Sequence, residues 1–152
     1  MFNHDAIDFK VEKFPLIHRW NNEYLSQDEE EIPSSIGVGL RRVDTKEPIG
    51  IVSDDYFPVQ YAEIVDGVEQ ALQRAEIDMT DATFTTNVYD QGAKLELRAK
   101  FPAHQMTMRE GKDTIIPEFV FRTSHNRTWA NNGMMGLWRS FCYNTLVSGD
   151  KL

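Results

Sequence analysis

Thr83-Phe84-Thr85-Thr86-Asn87-Val88-Tyr89, then Asp90-Gln91-Gly92-Ala93, then Lys94-Leu95-Glu96-Leu97-Arg98-Ala99-Lys100-Phe101: this run decides the fold. The last eight residues alternate strictly. Leu95, Leu97, Ala99 and Phe101 fall on one face of a strand, and Lys94, Glu96, Arg98 and Lys100 on the other. The segment before the turn is rich in Thr, Phe, Val and Tyr, which suit a pleated surface. A polar, glycine-containing turn between two such runs predicts an antiparallel hairpin with one face toward a core.

Working outward, the apolar residues Ile64, Val65, Val68, Ala71, Leu72 and Ala75 recur at helical spacing, so the pattern predicts one amphipathic helix over about 61–76. Pro58 lies just before it and Gly67 is a mild cost inside it. Ile36 to Val43 and Ile49 to Val52 read as two strands joined by Asp44-Thr45-Lys46-Glu47-Pro48. Gly37 and Gly39, on alternate positions, mark a bend or a close backbone approach. Gln105 to Met108 and Thr114 to Ile116 flank a turn at 109–113, and Glu118 to Thr123 reads as a further strand. Asn131-Asn132-Gly133 is a turn, and the pattern leaves Leu137 to Leu146 open between helix and strand. Residues 1–9 are expected as a loose N-terminus, Phe9 to Tyr24 shows no clean period, and 26–35 reads as an acidic loop. The expected fold is a single α+β domain over 1–152: an antiparallel β-sheet, the one main helix packed on one face, and a short C-terminal element.

The chain has 152 residues, 41% hydrophobic and 26% charged, an ordinary balance for one folded domain. No apolar run approaches a membrane span and no secretion signal opens the chain, so a cytoplasmic protein with no membrane partner is expected. One cysteine leaves no internal disulfide framework. The net charge of −8 is uneven. Residues 1–90 hold 7 Lys and Arg against 19 Asp and Glu, whereas 91–152 hold 9 against 5. The acidic total argues against general nucleic-acid binding, and the basic second half leaves room for a confined site.

Two constellations carry chemistry. Lys94, Arg98 and Lys100 share the polar face of a strand; Arg109, Lys112, Arg122, Arg127 and Arg139 would extend it. With Tyr89, Trp129 or Trp138 such a face offers cations to phosphates and flat rings to bases, although an ordinary solvated sheet face has the same pattern. His125, Cys142 and Asn144 are the residue types of a cysteine nucleophile with its base and orienting group. A cysteine between Phe141 and Tyr143 is more often a small buried apolar residue. Asp54 and Asp55 read either as paired carboxylates or as the start of a turn. The four histidines, at 4, 18, 104 and 125, are too scattered to predict a zinc site, and no phosphate-cradling glycine loop is present. Neither a metal nor another cofactor is expected.

Ile49-Gly50-Ile51-Val52-Ser53-Asp54-Asp55-Tyr56-Phe57-Pro58-Val59-Gln60 resembles the glycine–valine–valine–x–x–x–tyrosine–x–proline–valine–glutamine stretch of the phage/plasmid-like proteins, domain of unknown function 932. Ser124-His125-Asn126-Arg127-Thr128-Trp129-Ala130 is similar to that family's serine–histidine–aspartate–glycine–serine stretch. Arg139-Ser140-Phe141-Cys142-Tyr143-Asn144-Thr145-Leu146 resembles its arginine–valine–valine–cysteine–x–asparagine–threonine–leucine block. The matches fall in the family's order. Asn126 and Arg127 stand where the family commonly has aspartate and glycine, and the chain reads as a short or truncated member.

The resemblance implies a setting in phages, plasmids and other mobile elements, without an assigned reaction. The expected function is that of an accessory protein binding single-stranded DNA in recombination or replication. Lys94, Arg98, Lys100, Arg122, Arg127 and Arg139 would meet phosphates, and Trp129 or Trp138 would stack on bases. Two alternatives stand beside it: a small enzyme built on His125, Cys142 and Asn144, and a non-catalytic protein that meets a host factor or a second copy of itself.

Overall fold

The computed structural model describes residues 1–18, 32–108 and 113–139. Among the described residues there are two antiparallel sheets, one α-helix and three short 3-10 turns. The first sheet has the order β1 (Val11–His18), β2 (Ile32–Arg42), β3 (Pro48–Val52). Helix α1 (Tyr61–Arg74) follows. The second sheet contains β4 (Thr83–Tyr89), β5 (Lys94–Lys100), β6 (Met106–Met108), β7 (Asp113–Ser124) and β8 (Asn132–Arg139). In it β4 pairs with β5, β5 with β7, and both β6 and β8 with β7. The α+β class, the helix and the antiparallel hairpin are as expected.

The alternation of β5 sets the main core. Leu95, Leu97, Ala99 and Phe101 are buried with Tyr61, Val65 and Leu72 of α1, and Phe119 of β7 joins them. Ala71 and Ala75, also on the predicted stripe, stay exposed, while Tyr61 at the start of the helix is buried instead. A smaller core of Val11, Leu40, Ile49, Val52 and Ala93 lies under the first sheet. Phe9 packs against both, its ring edge-on to Tyr61 and beneath the Arg42 guanidinium.

Several expectations need correction. The first nine residues are tied down rather than loose. Phe2 and Ile7 are buried in the main core, Phe2 meets Phe84 edge to face, and its N–H donates to Glu69 Oε1 at 2.8 Å. Isolated apolar residues in a polar run show no period, yet each removes enough apolar surface from water to hold the segment. Strand β1 forms where no period was visible, with a register shift between Pro15 and Ile17. Residues 32–35, placed in the acidic loop, begin β2; the rest of that loop lies outside the described residues. The two short strands expected either side of Pro117 are one strand, in which Pro117 pairs with Leu137 and its carbonyl accepts from the Phe101 N–H at 3.0 Å. The start of the undecided C-terminal element is strand β8.

Gly37 and Gly39 are close approaches, as their alternation suggested. A Cβ on Gly37 would stand 2.1 Å from the Val52 carbonyl oxygen, and its φ of +129° is itself foreign to side chains; one on Gly39 would enter the Phe14 ring. Gly67, in contrast, faces open space on α1. Gly67→Ala should therefore raise the unfolding free energy by about 1 kcal/mol, and Gly37→Ala should lower it by more than that. Denaturant titration of both variants checks the pair.

Candidate functional site

The polar face of β5 is not a row of solvated cations. Lys94, Glu96, Arg98 and Lys100 pair across the sheet with Ser124, Arg122, Val120 and Glu118 of β7. This register brings Arg122 beside Glu96, which is only 3% exposed. Arg98 Nε donates to Glu96 Oε1 at 2.8 Å, and Arg122 Nε donates to Oε2 at 2.7 Å. Asn87 and the Tyr89 hydroxyl of β4 approach Oε1 at 3.4 Å. Burial alone would push this carboxyl up; the hydrogen bonds from Arg98 and then Arg122 outweigh it and hold the group at about 2. Arg98 Nη1 lies 3.6 Å from Glu118 Oε1, close enough for an ion pair but too long for a hydrogen bond. Lys94 Nζ pairs with Asp90 at 2.6 Å.

Trp129 closes over this lattice. Its ring meets Tyr89 edge-on at 5.8 Å, with Lys94 Nζ 5.3 Å and the Arg122 guanidinium 5.6 Å from it. Ser124 fixes the loop that carries it: Ser124 Oγ accepts from the Trp129 N–H at 2.8 Å and donates to the Trp129 carbonyl at 2.9 Å. The expected residues Lys94, Arg98, Arg122 and Trp129 are thus brought together, with Lys100 next in the row, but carboxylates stand among the cations. Arg127 is on the loop beyond, exposed. Arg139 is placed by backbone register alone, opposite Ile115. Arg109 and Lys112 lie outside the described residues.

The other constellation is a junction. Two of the stretches that carry the family resemblance, 75 residues apart in chain numbering at Gly50 and His125, meet here. His125 is 2% exposed. Its ring stacks on Tyr61 of α1 at 4.5 Å and 22°, and its Nδ1 lies 3.3 Å from the Tyr56 hydroxyl. Its N–H donates to the Ala93 carbonyl at 2.8 Å. Gly50 of β3 packs on Asn126, where a Cβ would stand 3.0 Å from the Asn126 Cα. Gln60 fastens the same stretch to the first sheet, accepting from the Val11 N–H at 2.9 Å and donating to the Val11 carbonyl at 3.1 Å. Among the described residues His125 Nε2, in either tautomer, has no partner, and neither does the Tyr61 hydroxyl. Burial pushes the His125 imidazole down to about 4 and the Tyr61 phenol up.

Asn126 Oδ1 accepts from the Thr128 N–H at 3.2 Å and the Thr128 hydroxyl at 2.6 Å, a turn that an aspartate would close in the same way. Arg127 has a φ of +62°, at the position where the resembled stretch carries glycine. At Arg127 this left-handed backbone costs roughly 1–2 kcal/mol that a glycine would avoid.

His125 is buried among the described residues, and Cys142 and Asn144 lie outside them. Asp54 and Asp55 are exposed in the loop after β3, with Lys13 Nζ donating to the Asp54 carbonyl at 2.6 Å. Among the described residues one group of side chains has donor atoms close enough to share a metal ion: His4, Asp66 and Glu69, within 4.8 Å of one another. Sequence spacing does not reveal it, because His4 reaches α1 only through the packed N-terminus. No helix among the described residues is long and apolar enough to cross a membrane.

Residues 48–152 match a family described as Domain of unknown function (DUF932). No curated protein and no solved structure matches the chain.

Replacing Glu96 by Gln leaves two guanidinium groups without their shared countercharge. Both arginines reach solvent, so the cost should fall below that of a fully buried pair, at about 2 kcal/mol. In the parent chain the Glu96 contribution is complete above pH of about 4.5 and is lost as the pH falls toward 2. Denaturant unfolding of both proteins at pH 7 and pH 3 should show the difference shrinking at the lower pH.

Proposed function

The chain belongs to the DUF932 family, and from that premise we propose that it is a mobile-element accessory protein that binds single-stranded DNA on the outer face of the second sheet. The observation that carries this reading is Trp129, held over the sheet by Ser124 with Tyr89 at its edge and Lys94 and Arg122 against its ring. A fixed aromatic ring beside guanidinium groups is a platform on which an unpaired base stacks, and such stacking contributes roughly 1–3 kcal/mol per base.

The lattice changes the expected balance of forces. Asp90, Glu96 and Glu118 offset much of the charge of Lys94, Arg98 and Arg122. Few counterions are then released on binding, so affinity depends on salt only weakly, and stacking leads. The arginine N–H groups that Glu96 does not use remain available to base edges and phosphate oxygens.

A labelled oligothymidylate followed by fluorescence anisotropy at low salt tests the reading. The parent chain should bind. Trp129→Ala should weaken binding by about tenfold, which corresponds to one lost stacking contact. Glu96→Gln, if folded, should tighten binding and steepen its salt dependence by releasing Arg98 and Arg122. Absence of binding by the parent chain at low salt would refute the proposal.

A further inference from the structure

We propose that His125 is a proton-operated latch: its protonation releases the Ser124–Trp129 loop and withdraws the Trp129 platform from the sheet. As a regulation of single-strand binding this rests on the reading above; as a property of the loop it stands on the junction alone.

The ring is enclosed by groups that cannot stabilise a charge. Tyr61 faces it from α1 and Tyr56 from the loop after β3. The Ala93 carbonyl, from the chain entering β5, is already used by the His125 N–H. From β3 the contact is the backbone of Gly50, against the neighbouring Asn126. The charged groups nearby are Arg127, two residues along the same loop, and Asp55, whose carboxyl is held down first by Ser53 and further by Lys13 and Arg127. None of these pairs with the imidazole, and burial is the sole cause of its shift. A protonated ring would carry two N–H donors. A phenol oxygen can accept one of them, but among the described residues Nε2 has no acceptor. Attraction to the Tyr61 ring face offsets part of the burial cost and leaves most of it.

The nearest relief is outward. His125 lies between Ser124, which grips Trp129, and Asn126, which rests on Gly50. Moving the ring into water therefore lifts the loop and its tryptophan together. The sign follows from linkage. The closed loop holds the imidazole neutral down to about pH 4, whereas an exposed histidine titrates near 6.5. The open form binds more protons between these values, so the closed form loses ground as the pH falls from about 6.5 toward 4. Between pH 7 and pH 5 the open-to-closed ratio should rise about 20-fold.

Amide hydrogen exchange on the full chain without DNA reads this directly. After correction for intrinsic rates, protection of the His125 and Trp129 amides should fall about 20-fold from pH 7 to pH 5 and lie below that of Leu95 and Leu97 in the β5–β7 ladder at both pH values. In His125→Gln the loop amides should show no such pH dependence; the parent chain decides the matter if that variant does not fold. Unchanged loop protection, or loop amides as protected as Leu95 and Leu97 at both pH values, so that the loop opens only with the whole sheet, would overturn the latch. Because no DNA is present, this result is independent of whether the oligothymidylate binds.

Discussion

A neutral histidine pressed against a tyrosine ring joins the parts of this molecule. His125 directly follows β7, the central strand of the second sheet; Tyr61 begins the helix that covers the apolar face of that sheet; Tyr56 and Gly50 belong to the stretch that leaves the first sheet. Phe9 and the turn at Gly92 and Ala93 also bridge the two sheets. The stack is apolar in effect and polar in composition. It places two hydrogen-bonding groups, His125 Nε2 and the Tyr61 hydroxyl, where neither has a partner among the described residues. Leaving such groups unsatisfied costs about 1–3 kcal/mol each, which the surrounding aromatic and helix packing must exceed.

The outer face obeys a related constraint. A carboxylate is buried at the centre of a sheet, so two arginines must surround it, and an aromatic ring covers what the arginines leave open. This arrangement fixes side chains that would otherwise move freely, and it places them in one plane beside Trp129. The same carboxylate that orders the face also cancels its charge. Any ligand taken there is held by shape and stacking more than by field strength.

Much of the fold was legible because it rests on period. The alternation from Lys94 to Phe101 and the helical stripe from Ile64 to Leu72 each name their buried face. The glycines at 37 and 39 announced a crowded backbone, and Val52 and Phe14 supply the crowding. What stayed hidden depends on partners distant in sequence. Glu96 reads as a solvent-facing residue until Arg122 is placed beside it by register. Phe2 and Ile7 look like stray apolar residues until the helix and β4 receive them. His125 was recognisable as a candidate by residue type and by family resemblance, but its burial between Tyr56 and Tyr61 follows only from the meeting of two separate stretches. Cys142 and Asn144, expected to act with it, lie outside the described residues.

The central claim is that the His125–Tyr61 stack couples the helix and first sheet to the end of β7. A double-mutant cycle in denaturant unfolding, with His125→Leu, Tyr61→Leu and the double variant, measures that coupling most directly. The account predicts an interaction free energy of about 1 kcal/mol in favour of the native pair. Additive effects of the two substitutions would contradict it.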